Sequence, residues 1–232
     1  SPRGKGWPLM KSSRSIALGG LTIALALTPT VALAAGPSTV SVRIEGTSRT
    51  LLDATNVRTH SGSITKGGTP AGACPATTAA GALDVATHHR WDGSYGSVGL
   101  SITSVLGETH PFTSQSYWSI FINGRYATAG ACALKLHRGE QILFAAVPDK
   151  GTEYPIILSA PARAATGHWF TVKATYYGAK GGAKPLAGVS VKGGGTTNAR
   201  GVTTVTAAKQ GRLSLTASRS GFIRAEATVS VS

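Results

Sequence analysis

The sequence predicts a mainly β chain with one short helix, built as an α+β module followed by a small β-sandwich. Three observations carry this expectation. Only 14% of the 232 residues are charged, against roughly 25% in an average soluble domain, and 30 are glycine, which leaves little material for long solvent-laced helices or coiled coils. Short runs of alternating apolar and polar residues, separated by Gly-rich turns, recur along most of the chain with the period of half-buried strands. Helical spacing of apolar residues occurs in one short stretch after the N-terminal leader, through Ala86. A hydrophobic fraction of 41% excludes wholesale disorder, and a single long apolar run excludes a polytopic membrane protein.

The leader comes first in the chain. Met10 is followed by Lys11 and Arg14, by the uncharged run Ile16–Leu27, by Pro29 and by the small-residue triplet Ala32-Leu33-Ala34. These are the three parts of a secretory signal peptide, so residues 10–35 are expected to direct export, with cleavage after Ala34 or Ala35. The apolar run is about 12 residues where a spanning helix needs about 20, and the alternative is an uncleaved anchor over Ile16–Ala35. Residues 1–9 are set aside as an upstream segment. Without residues 1–34 the chain keeps 19 Lys and Arg against 9 Asp and Glu, so the basicity survives export. The expected location is secreted, extracellular or envelope-associated. Cys74 and Cys132 are the only cysteines, and an even count in an exported chain reads as a disulfide. No CxxC or HxxxH partner supports zinc instead.

Residues 36–158 read as mixed α and β. Val40, Val42 and Ile44 alternate as a strand, Gly46-Thr47-Ser48 turns the chain, and Leu51–Val57 returns as its partner. Thr77 or Thr78 caps a short helix that carries Ala79, Ala82, Leu83 and Ala86 on one face. Strand-like runs near Val98–Val105 and Tyr117–Ile122 follow, and Asn123-Gly124 is the strongest short hairpin signal available. A two-residue turn there pairs Ile122 with Arg125, Phe121 with Tyr126 and Ile120 with Ala127. Alternation then places Trp118, Ile120, Ile122, Ala127 and Ala129 under the helix and Tyr117, Phe121 and Tyr126 on the opposite face. Leu134, Leu136, the Arg138-Gly139-Glu140 turn and Ile142–Ala146 are expected to supply a last hairpin.

The stretch Tyr117–Ala127, then Gly130-Ala131-Cys132, then Leu136–Phe144, together with Cys74 and the Ala79–Leu83 helix, resembles the family of unknown function related to the transcobalamin C-terminal domain. The resemblance implies a β-grasp-like sheet with one helix. In transcobalamin that domain closes over a corrinoid held against a large helical barrel. No such barrel is present in this sequence, so the resemblance speaks for the fold more than for cobalamin as a cofactor.

From Ser159 to Ser232 short alternating strands take over: Phe170–Tyr176, Val189–Val191, Val202–Thr206, Leu213–Ala217 and Ala225–Val231, as in a small β-sandwich. The phrases Pro185–Val191, Thr197–Thr203 and Gly211–Leu215 resemble bacterial surface Ig-like domains. Charge separates the halves. Residues 36–158 hold 9 basic and 8 acidic side chains, whereas residues 159–232 hold 10 basic ones against Glu226 alone. Such a one-signed module attracts polyanions with a strength that falls as salt rises, and Lys173, Lys180, Lys184, Lys192, Arg200, Arg212, Arg219 and Arg224 are its candidate contacts. The bland reading is that these cations keep a Gly-rich domain soluble.

Chemistry-bearing motifs are sparse. Asp84 and His88 have helical i, i+4 spacing but no third ligand, and a solvated helix end is the simpler reading. There is no G-x-S-x-G elbow, and Gly67-Gly68 and Gly193–Gly195 lack the flanks of a phosphate loop. Glu45, Glu108, Glu140 and Glu153 have no spacing that requires a catalytic pair. The constellation with binding character is the aromatic face Tyr117, Phe121 and Tyr126, a platform for sugar rings or a macrocycle unless a loop or the second module covers it. The sequence therefore predicts an exported, non-enzymatic binding protein whose basic module holds it on an anionic envelope polymer or against another surface protein, with no specific nucleic-acid partner. A corrinoid or other small-molecule carrier is the first alternative and a hydrolase with a non-local site the second.

Overall fold

This computed structural model describes residues 36–112, 114–150 and 153–232. The expected signal peptide and the upstream segment lie outside the described residues. The described residues belong to one compact unit, Ala35–Ser232. The described residues are mostly β with a single short α-helix, as the composition predicts.

β1 (Thr39–Glu45) buries Val40, Val42 and Ile44 and pairs antiparallel with β2 (Thr50–Arg58). α1 (Ala79–Ala86) follows, and then β3 (Trp91–Gly96), β4 (Gly99–Val105) and β5 (Glu108–Thr109) form a three-stranded sheet of their own. β6 (Ser116–Ile122) and β7 (Arg125–Tyr126) meet in the predicted register, Phe121 opposite Tyr126 and Ile122 opposite Arg125, and the Ala127 N–H donates to the Ile120 carbonyl at 2.9 Å. Asn123 and Gly124 both take positive φ, 51° and 76°, as the tightest hairpin turn demands.

β8 (Gln141–Pro148) departs from the expected last hairpin. Leu134–Leu136 forms no strand and contributes one bridge, Thr78 with Lys135. β8 runs instead through the middle of the sheet, parallel to β1 and antiparallel to β6. The reason is visible in its side chains: Ile142 to Val147 are buried on both faces, which suits a central strand and not an alternating hairpin arm. The order β2-β1-β8-β6-β7, with a parallel central pair and the helix against one face, is a β-grasp arrangement.

α1 is short but almost wholly buried, because its small residues let it sit deep in the core with Leu83. Gly81 is required there: a Cβ would lie 1.8 Å from the Ala76 carbonyl oxygen. Thr78 stands at the N-cap, yet its hydroxyl donates back to Pro75 O at 2.6 Å and makes no cap bond. Trp118, Ile120, Ile122 and Ala127 pack beneath the helix as alternation predicts, whereas Ala129 is exposed because the strand has already ended. The Cys74–Cys132 disulfide, with Cα atoms 4.7 Å apart, ties the loop before α1 to the loop after β7.

The remaining strands are β9 (Tyr154–Pro155), β10 (Ile157–Ser159), β11 (Arg163–Ala164), β12 (Trp169–Tyr177), β13 (Ala183–Pro185), β14 (Ser190–Val191), β15 (Val202–Thr206), β16 (Gly211–Ser218), β17 (Phe222–Ile223) and β18 (Ala225–Val231). Two four-stranded sheets, one around β12 and one around β16 and β18, enclose a separate core that includes Val172, Val189, Val205, Leu215 and Val229. β9 pairs with β17 and β10 with β12, so pairing with the second module starts at Tyr154, ahead of Ser159. A third, small cluster of Phe121, Leu143, Ala145, Val147 and Ile223 joins the helix-free face of the first sheet to β17. No helix among the described residues is long and apolar enough to cross a membrane.

Candidate functional site

Tyr117 and Phe121 project from the helix-free face of β6, and Tyr126 lies opposite Phe121 on β7, so strand alternation and the Asn123-Gly124 turn together gather the three rings. The second module covers part of this face. Phe121 is 1% exposed, with its ring centroid 5.5 Å from that of Tyr126 in an edge-to-face pair, while Tyr126 remains 52% exposed. The expected flat platform is therefore a groove, with Phe121 at its base. Its volume is about 370 Å³, and Val147, Glu153 and Tyr154 contribute to its walls. That size is near the lower end of small-molecule sites, roughly 300–1,000 Å³. Tyr154 stands 5.9 Å from Tyr176, which in turn meets Phe222 at 5.2 Å, so packed aromatics buttress the outer wall. Burial first, and then the neighbouring Tyr126 hydroxyl and the Asp149 carboxylate, push the Tyr117 phenol above its ordinary value.

A buried ionic knot lies on the same side of the sheet. Glu45, 1% exposed, accepts hydrogen bonds from Arg43, from Arg224 Nε at 2.9 Å and from the Thr50 hydroxyl at 2.6 Å, and its carboxylate lies 2.6 Å from Arg224 Nη2 in an ion pair. Arg43 also donates to Arg224 O at 2.6 Å, and Arg224 to Gly46 O at 2.8 Å. Glu226 accepts the Ala54 N–H and sits 3.8 Å from Arg43 Nε. Burial, reinforced by Asp53 and opposed by the Ala54 N–H and Arg43, holds the Glu226 carboxyl above its ordinary value. Arg224, one of the eight expected polyanion contacts, is thus bound internally. Lys173, Lys180, Lys184, Lys192, Arg200, Arg212 and Arg219 are exposed, but Lys173 lies on the outer face of one sheet and Arg212 on that of the other, so they form no single stripe. Arg219 additionally donates to Ala187 O at 2.7 Å.

Two polar clusters were illegible as pairs in sequence. Asp84 is no solvated helix end. It is buried, accepts the Trp91 indole N–H at 2.8 Å and lies 2.6 Å from His89 Nδ1, so its partner is His89 and not His88. Glu108 and His110 form a relay with Ser116: Glu108 Oε1 is 2.8 Å from His110 Nε2, and His110 Nδ1 is 2.6 Å from Ser116 Oγ. Thr47 holds the carboxylate from the other side with its N–H at 2.7 Å and its hydroxyl at 3.0 Å. Burial pushes the Glu108 carboxyl up, but the Thr47 and His110 hydrogen bonds outweigh it and hold Glu108 below its ordinary value. Neither His110 nor Ser116 lines the groove.

A second cleft, of about 380 Å³, opens between β4 and β6 on the other side of the β6–β7 edge. Trp118 lines it, and its buried indole N–H has no partner among the described residues. The cleft runs onto the module's own core residues Leu100, Ile102 and Ile120 and contains neither a carboxylate nor a basic side chain. Among the described residues no group of three or more His, Cys, Asp or Glu is gathered to hold a metal ion.

No curated protein matches the chain at a significant level. Among solved structures, haptocorrin in complex with Cbi is similar over 50% of this chain and 26% of its own, at 16% identity and a TM-score of 0.38. A protein from Ruminococcus gnavus ATCC 29149, described as a candidate metal binding protein, is similar over 48% of this chain and 97% of its own, at 18% identity and a TM-score of 0.35. Residues 78–147, which contain α1 and most of the stretch that carries the sequence resemblance, match the family described as Domain of unknown function (DUF4430).

Proposed function

We propose that the chain is a non-enzymatic binding protein of the cell exterior that holds a small ring-bearing ligand in the groove of Tyr117, Phe121, Tyr126 and Tyr154. The observation that carries this reading is the groove itself: a concave, aromatic-walled space of small-molecule size at the residues singled out by strand alternation. The Cys74–Cys132 disulfide is compatible with an oxidising compartment outside the cytosol. Titration with a panel of ring-bearing fragments, followed by the tyrosine resonances, tests the reading. Tyr117 and Tyr126 also line the cleft beside β4, so saturable shifts that include Phe121, Val147 and Tyr154 support it, and their absence removes it. In the same proposal the exposed cations of the second module retain the protein on anionic envelope polymer. Sedimentation with isolated cell wall tests this half: binding should weaken steeply as salt rises, and failure to bind even at low salt refutes it.

The corrinoid-carrier alternative fits this cavity less well, because a corrin macrocycle is far larger than a space of about 370 Å³ and would overhang it. A cobalamin titration without spectral change would dismiss that alternative. The hydrolase alternative has one observation in its favour, the Glu108–His110–Ser116 relay, which joins the nucleophile, base and orienting group of acyl transfer. The relay lies outside the groove, and labelling of Ser116 by a fluorophosphonate would be needed to sustain a catalytic role for it.

A further inference from the structure

We infer that the groove selects an organic cation carrying an alkylated ammonium head, held by the faces of Tyr117, Phe121, Tyr126 and Tyr154 with the Glu153 carboxylate beside them. This inference rests on the groove being the ligand site and specifies the chemistry of its occupant. The chain has 23 Lys and Arg against 9 Asp and Glu, yet the groove lining contains no basic side chain and one carboxylate. Four aromatic rings line it, with Thr128, Val147 and Ala179 between them. Ring faces carry negative quadrupole potential and attract a cation that has shed its water. Arg125, the chain neighbour of Tyr126, is turned away. Its guanidinium stacks 3.8 Å from the Tyr177 ring centroid and donates to Gly181 O at 3.2 Å. Asp149 adds a second carboxylate within electrostatic reach of the Tyr117 hydroxyl.

The same lining argues against the competing ligand classes. An anion would face Glu153 without a compensating Lys or Arg. A primary ammonium brings three N–H donors and is strongly hydrated, whereas the surface of the lining is mostly ring and aliphatic carbon. An alkylated ammonium has no such donors and presents polarised methyl groups to the rings.

The test uses a charged probe and its neutral shape mimic, choline and 3,3-dimethylbutan-1-ol, with indole as a neutral flat ring, each titrated into the full chain by isothermal calorimetry and by NMR of the tyrosines. Choline is expected to bind about tenfold or more tightly than its mimic, and Glu153→Gln, which preserves shape, to weaken choline about two- to fivefold while leaving the mimic unchanged. Equal affinity for choline and the mimic, or binding of indole alone, overturns the cation inference and leaves the groove as a site for neutral rings. Absence of shifts at Tyr117 and Tyr126 with all three probes overturns both.

Discussion

Replacing Glu45 by glutamine should be among the most costly single changes in this chain. Glu45 is 1% exposed and receives two guanidinium groups and one hydroxyl, with Arg43 and Arg224 side chains only 12% and 30% exposed. Glutamine keeps the volume but removes the charge and turns an NH₂ toward the arginines, so two largely desolvated cations lose their counter-ion. Breaking a buried ion pair from one side costs about 3–5 kcal/mol, more than the knot itself contributes relative to an apolar replacement. For a chain of this length that corresponds to a fall of about 6–20 °C in melting temperature. Urea unfolding followed by circular dichroism measures it directly. A cycle with Arg224→Gln should show coupling of about 1–3 kcal/mol, because the second change removes one of the stranded charges. A loss below about 1 kcal/mol for Glu45→Gln would refute the argument, since it would mean that water reaches the knot and screens it.

Gly124→Ala should cost about 1–2 kcal/mol, since φ of 76° disfavours a side chain and the added Cβ would lie 2.5 Å from Ile157 Cδ1; chemical denaturation of the variant checks this. Replacing Cys74 and Cys132 by serine opens a link across 58 positions and should lower stability by about 4 kcal/mol, read by the same assay under non-reducing conditions. Because Glu108 is held below its ordinary value of 4.5, its contribution is fully present above that pH and is lost as pH falls through the lower folded value. Glu108→Gln should therefore destabilise the chain at neutral pH and have a smaller effect in acid; an equal loss at both pH values would contradict the relay geometry.

Most of the longer strands, the hairpin register and the disulfide were legible because each rests on a local signal: alternation, Asn-Gly at a two-residue turn, an even cysteine count; Trp91–Gly96 and two- and three-residue strands such as Tyr154–Pro155 and Ala183–Pro185 carry no such signal. The central place of β8 was available in the unbroken run Ile142–Val147 but was outweighed by the turn signal at Arg138-Gly139-Glu140. Contacts between distant segments were not legible. Arg224 is 179 positions from Glu45, and nothing local distinguishes it from the exposed cations of its module. The groove was half visible: Tyr117, Phe121 and Tyr126 follow from pairing, whereas Glu153 and Tyr154 reach it only because β9 pairs with β17.

Binding by this protein, as proposed, takes place in the groove between Tyr117, Tyr126 and Tyr154. The most direct measurement is a chemical-shift map of the full chain against small aromatic and ammonium fragments. Saturable shifts confined to Tyr117, Phe121, Tyr126, Val147 and Tyr154 are expected. Shifts centred instead on Val98, Leu100 and Phe112 in the cleft beside β4, or no saturable shifts at all, would contradict the proposed site.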